Sequence, residues 1–242
     1  MTMYGYGYYG FDWTIFLLIP AVIFVFIAQN RVTSAYRTYS GIANKKGMTG
    51  SDVARAILDA NGLHDVDIEP INGTLTDNYD PRKRVVHLSQ GVYDTPSISA
   101  LSIAAHETGH AIQHGVGYVP LRMRSAIAPF ATIVSYLSWP LLIIGLIIIT
   151  TGELASVETG NMIFNIGIFC FLGVIVFHAV TLPVEFNASS RALKQLEALG
   201  FVDPEEKAGA KKVLSAAAMT YVAALAVAVM NLVRILLIRG RR

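Results

Sequence analysis

The sequence predicts a mainly α-helical integral membrane protein with a small α+β domain on the cytoplasmic side, and three observations predict it. Hydrophobic residues make up 53% of the 242 positions and charged residues 15%, with a mean hydropathy of +0.49. That is more apolar than a water-soluble domain sustains. Four stretches, near Phe11–Ala28, Ala126–Ile149, Met162–Leu182 and Val213–Ile238, approach or exceed the roughly 20 apolar residues a bilayer-crossing helix needs. Between the first two lies a polar segment with the helix, strand and turn signals of a folded unit. The expected organisation is an N-terminal segment and first transmembrane helix over 1–30 and the small domain over 31–125. A transmembrane hairpin over 126–182, a helix and loop over 183–212, and a fourth apolar helix with a basic tail over 213–242 complete it.

Each element has its own signal. The Tyr- and Gly-rich residues 1–10 read as an interfacial tyrosine belt ahead of a retained anchor, because no Lys or Arg precedes the first apolar stretch and no small-residue cleavage site follows it. Met48–Gly62 reads as a helix: Thr49 or Ser51 caps it, Val53, Ala56, Ile57 and Ala60 share a face, and Asn61-Gly62 ends it. Val66–Ile71 follows as an extended segment. Leu75–Tyr79 and Arg84–Leu88 are the arms of a hairpin turning at Asp80–Lys83. Ser97 then caps a helix running to about His114 and closed by Gly115. Val213–Ile238 either spans the bilayer or lies in it as a re-entrant helix, and Arg234 within it needs a partner or must reach the interface.

Charge orients the chain and excludes some functions. Arg31, Arg37, Lys45, Lys46, Arg122 and Arg124 border one side of the first two apolar stretches, and Arg191, Lys194, Lys207, Lys211 and Lys212 fill the loop after the third. The loop 150–160 carries Glu153 and Glu158 and no Lys or Arg. The asymmetry puts 31–125 and 183–212 in the cytoplasm, with Arg239, Arg241 and Arg242 outside if the last segment spans. A net charge of +2 without a basic arm argues against a nucleic-acid partner. One cysteine, Cys170, excludes an intrachain disulfide and a Cys-based metal site, and reads as a packed small hydrophobe.

The chemistry lies in Ala104-Ala-His-Glu-Thr-Gly-His-Ala-Ile-Gln-His114. A helix stacks His106 and His110 on one face at the spacing that binds one zinc ion, and Glu107 projects beside them to take a proton from metal-activated water. The five-residue pattern is short, so two unrelated histidines on a helix are the competing reading. The small neighbours Ala104, Ala105, Gly109 and Ala111 and the preceding hairpin favour a zincin-like setting. An open catalytic site needs a third ligand. Val116 stands where a third histidine of the longer pattern would, and Gln113 where its glycine would. His114 lies about 12 Å along the helix from His106, too far for one ion, and reads as a more distant or interfacial group. The remaining candidate is Glu185, in Leu182-Pro-Val-Glu-Phe-Asn-Ala-Ser-Ser-Arg-Ala192, on the same side of the membrane as His106. A lone Glu after a span is also an ordinary solvated boundary residue.

The last two segments, together with Leu75-Thr-Asp-Asn-Tyr-Asp-Pro-Arg-Lys-Arg-Val-Val-His-Leu-Ser89 and the four-segment layout, closely resemble the YugP-like membrane neutral zinc metallopeptidases. More distantly the chain resembles the gluzincin HtpX and CAAX-prenyl endopeptidases. The resemblance implies one zinc per chain held by His106, His110 and Glu185, with Glu107 as base. The distant relatives place Asp four residues after the Glu ligand to orient a zinc-binding His, whereas this chain has Ser189, a weaker hydroxyl acceptor.

Other residues have two readings each. His178, two helical turns before Glu185, either stabilises the oxyanion or packs as a hydrogen-bonded histidine. Arg191 either orients Glu185 or substrate, or is solvated at the headgroups. His64 and His87 read as surface residues. The strand Arg84–Leu88 offers an edge on which a polypeptide substrate could add as a further strand. The expected function is a membrane-embedded zinc endopeptidase acting on membrane or membrane-proximal polypeptides. A catalytically inactive zinc-binding scaffold and a small-solute transporter are the alternatives. Arg234 and His178 alone are too few intramembrane charges for a transport path.

Overall fold

The computed structural model describes residues 13–151 and 154–240. The proposed tyrosine belt, Glu153, Arg241 and Arg242 lie outside the described residues. Most of the described residues are helical, and they include one small three-stranded sheet.

Four long helices are apolar and extended enough to cross a membrane. They are α1 (Leu18–Ser40, entered through the 3-10 turn Trp13–Leu17), α5 (Val119–Thr151), α6 (Leu154–Ala198) and α7 (Pro204–Gly240). Large side chains such as Phe26, Phe130, Tyr136 and Phe169 are exposed on them, as lipid-facing surfaces require. Each helix outruns its apolar stretch. In particular, α6 continues without a break through Pro183, past the 182/183 boundary expected from sequence. The helices pack in the spatial order α5, α6, α7, α1.

The polar unit begins with α2 (Gly50–Ala60). Thr49 closes a capping box with Asp52: its Oγ1 accepts from the Asp52 N–H at 3.2 Å, and Asp52 Oδ2 accepts from the Thr49 N–H at 2.9 Å. Its buried stripe is Val53, Ala54, Ile57 and Leu58. The expected Ala56 and Ala60 yield because burying Leu58 removes more apolar area from water. The sheet holds β1 (Asp67–Ile71), β2 (Asn78–Asp80) and β3 (Val85–Ser89) in the order β1-β3-β2. β2 and β3 form the expected antiparallel hairpin, while β1 joins β3 in parallel. β2 is shorter than anticipated because Leu75 has a left-handed backbone, φ 57°, which a strand cannot contain.

The short helix α3 (Gln90–Tyr93) leads to α4 (Ile98–Gly115), capped by Ser97 Oγ accepting from the Ala100 N–H at 3.1 Å. Nearly all of α4 is buried. The domain core is not confined to 31–125: Ala192 and Leu196 of α6 and Ala210 and Leu214 of α7 pack with Ile57, Leu88 and Leu101. Each fully buried Leu or Ile contributes about 1.5–3 kcal/mol. The ends of two long helices therefore form part of the domain, and this carries α6 past α4.

Candidate metal centre

Helical spacing alone sets His106 and His110 side by side, with ring centroids 4.8 Å apart and planes at 86°. What meets them depends on Gly109. A Cβ there would stand 2.7 Å from the Ala188 carbonyl oxygen, so only glycine lets the backbones of α4 and α6 come this close. That approach delivers Glu185 from α6: its Oε2 lies 3.3 Å from His106 Nε2 and 3.6 Å from His110 Nε2. The three offer ligand atoms all within 4.8 Å of one another.

Glu185 is 1% exposed, and neither carboxylate oxygen has a hydrogen bond. Among the described residues the Arg124 guanidinium, 3.4 Å from Oε1, is its one cationic side-chain neighbour besides the imidazoles. A buried carboxylate without hydrogen bonds is costly unless a cation completes it. Two imidazole nitrogens and a carboxylate oxygen converging on one point match the donor set of a catalytic zinc site, so the residues fit the ion.

Both imidazoles are held from behind. His106 Nδ1 contacts Ser189 Oγ at 3.2 Å, and His110 Nδ1 contacts Gln113 Oε1 at 3.0 Å. Fully buried Gln113 also donates to the Val184 carbonyl at 2.8 Å and to Asn187 Oδ1 at 3.0 Å. These contacts leave each Nε2 facing Glu185.

Glu107 is buried beside the cluster, and that burial pushes its carboxyl up from the ordinary carboxylate value, against the pull of His106 and His110. Two cavities flank it. One, about 370 Å³, is the more polar of the two: Asn78, Tyr79, Arg82, Arg124 and Glu185 help line it, together with Leu121 and Phe177. The other, about 320 Å³, is bounded by apolar Val32, Ile103, Val213, Leu214 and Ala217 of α1, α4 and α7. Asp77 and Tyr221 border both. Asp77 accepts from the Ser89 N–H at 2.7 Å and from the Ser89 hydroxyl at 3.1 Å; burial pushes its carboxyl up.

Several expectations need correction. His178 lines a separate groove of about 360 Å³ between α5 and α6, against the Phe177 ring. Seven residues of helix carry it about 10 Å along the axis from Glu185, so a shared face does not bring it to the cluster. Arg191 does not orient Glu185. Its Nε donates to Asn187 Oδ1 at 2.8 Å, and its guanidinium stacks over Tyr118, on the Gln113 side of α6. The segment Arg84–Leu88 offers no open edge, since β3 is the central strand with both sides paired. His114 is bound to the Tyr79 hydroxyl at 2.8 Å, tying α4 to β2. His64 is exposed beside Asp59, whereas His87 is half-buried between Asn78 and Glu69.

Sequence reasoning did not single out Gln113, Arg124, Tyr221 or Asp77 as site residues. Only Gln113 had a local signal, three residues after His110 on the same helical face.

A His-Glu-x-x-His helix and a glutamate from a long apolar helix thus offer the donor set that zinc peptidases use. Residues 14–240 match the family described as "Putative neutral zinc metallopeptidase", and the chain belongs to that family. It is 47% identical over 224 residues to the "Putative membrane protease YugP" of Bacillus subtilis (strain 168), covering 93% of this chain and 95% of that protein. No solved structure matches the chain.

Proposed function

We propose that the protein is a multi-pass membrane endopeptidase that hydrolyses peptide bonds of membrane or membrane-proximal polypeptides at the cytoplasmic face. The observation that carries this reading is the buried, hydrogen-bond-free carboxylate of Glu185 set against two imidazole Nε2 atoms. His106, His110 and Glu185 would hold one zinc per chain. A zinc ion there supplies an acidified water and a Lewis acid for the scissile carbonyl. Glu107 accepts the proton of the attacking water and hands it to the departing amine. Ser189 and Gln113 fix the ring orientations of His106 and His110.

The free edge of β2 borders the polar cavity, so an extended polypeptide adds there by main-chain hydrogen bonds. The apolar cavity beyond Glu107 then receives a hydrophobic side chain, which suits membrane-derived sequences. The cytoplasmic orientation is supported by Arg37, Arg122 and Lys211 toward the domain-side ends of α1, α5 and α7 and by Lys45 and Lys46 in the turn after α1. At the far end of α7, Arg239 donates to Asn165 Oδ1 and stacks over Phe164 at 5.7 Å, which accommodates a charge on the outer side.

The test is metal analysis and peptide cleavage by the purified chain and its Glu107→Gln variant. The expected result is about one zinc per chain in both and a 10²–10⁴-fold loss of hydrolysis in the variant. Stoichiometric zinc without cleavage of membrane-derived peptides by the wild type would favour a zinc-binding scaffold. Zinc-free protein indifferent to His106→Ala would overturn both readings.

A further inference from the structure

On the faces turned away from Glu107, α1 and α7 enclose a groove of about 740 Å³. Its α7 wall is Lys212, Ser215, Ala216 and Met219, spaced three and four residues apart along one stripe. Residues on the opposite face of the same turns, Val213, Ala217 and Tyr221, line the apolar cavity at the metal centre.

The groove changes character along its length. Phe26 and Ile27 lie just inside the end of the first apolar stretch, and Met219 lies inside the start of the last. Arg31 and Lys212 lie just outside those limits, on the domain side, with Ser34 and Ser215 beside them. Both helices therefore pass from hydrocarbon to headgroup level within this one groove. Among the described residues no Asp or Glu lines it, and the Arg31 guanidinium is turned to Met219 Sδ at 3.8 Å rather than to a carboxylate. Two cations at the membrane interface without a facing anion above an apolar floor are complementary to an anionic lipid.

We propose that this groove binds an anionic phospholipid, its phosphate held between Arg31 and Lys212 and an acyl chain lying over Phe26, Ile27 and Met219. The proposal depends on the membrane placement of α1 and α7 and not on zinc chemistry. A lipid bound there clamps α1 to α7 and steadies the wall that Val32 and Tyr221 present to the metal centre.

Full-length protein in a neutral detergent would be titrated with phosphatidylglycerol and with phosphatidylcholine of the same acyl chains. Lipid retention would be read by native mass spectrometry and Tm by thermal unfolding. Phosphatidylglycerol should be retained selectively and raise Tm. Arg31→Gln with Lys212→Gln should weaken its retention roughly 30-fold, about fivefold per basic residue at an anionic interface, with the Tm in phosphatidylcholine unchanged. Ser34→Glu, an exposed change that places a carboxylate in the groove, should do the same if the double variant folds poorly. Arg37→Gln with Lys211→Gln, exposed on the domain side but outside the groove, should retain the response. Equal retention of the two lipids, or equal losses from the inner and outer charge pairs, would overturn the proposal. So would a full Tm shift from inorganic phosphate alone, which would make this a site for a free anion.

Discussion

The long helix α6 is gripped in two places by the same backbone device and by opposite chemistry. In its apolar half it meets α5 through glycine: a Cβ at Gly145 would lie 2.6 Å from the Phe164 nitrogen, and one at Gly167 2.9 Å from the Leu142 nitrogen. In its domain half it meets α4 through Gly109, equally close to Ala188. Leu142, Phe164, Phe171 and Ile235 surround the first contact. Gln113, Asn187, Ser189 and Glu185 surround the second. Apolar side chains fix how far apart two helices stand, whereas hydrogen bonds also fix rotation and register. The α5 contact therefore anchors α6, and the α4 contact aims it.

The largest expected effect comes from Glu185→Ala. Zinc affinity, read by competition with a chromophoric chelator, should fall by more than the roughly 10–100-fold that a supporting residue costs. The metal-free variant should unfold below metal-free wild type, because the change leaves Arg124 without the carboxylate that faces it. A variant that keeps its zinc affinity would remove Glu185 from the ligand set.

Gln113→Ala comes next. It strips the acceptor from His110 and the donor from Val184 and Asn187 at once. Zinc affinity should drop about 10–100-fold, and stability should fall by roughly 1–3 kcal/mol for each buried group left unpaired.

Gly109→Ala and Gly145→Ala then separate aiming from anchoring. Each added methyl meets backbone, so each should cost about 1–3 kcal/mol in thermal unfolding. Only Gly109→Ala should also weaken zinc binding, because only there does the displaced strand of contacts include ligands. Equal loss of zinc from both variants would mean that α6 transmits displacement along its whole length, and the division between the two grips would fall.

The same division explains what the sequence discloses. The apolar grip is legible: four stretches of hydropathy locate α1, α5, α6 and α7, and the caps at Thr49 and Ser97 locate α2 and α4, because these signals are local. His106, Glu107 and His110 are legible for the same reason, one helical turn containing all three. Arg124 on α5, Tyr221 on α7 and Asp77 in the loop before β2 are far apart in sequence, and no local spacing connects them to Glu107. His178 misled because sharing a helical face with Glu185 says nothing of the 10 Å rise between them. The strand Arg84–Leu88 misled because β1 returns to pair with β3, a long-range choice of partner absent from either strand's own alternation.

Ser189 is the smallest and most discriminating case. Its hydroxyl lies behind His106 at 3.2 Å, and it is less buried than the Gln113 link behind His110. Ser189→Ala should therefore weaken zinc near the lower, tenfold end of the supporting range, with little change in unfolding. Ser189→Asp should tighten it, since a carboxylate accepting from the Nδ1–H makes Nε2 a more basic ligand. Titrating zinc into wild type and the two variants at one pH checks the order, with Asp tightest and Ala weakest. If Asp binds no better than Ala, the group behind His106 does not set its ligand strength, and aiming from α6 rests on Gln113 alone.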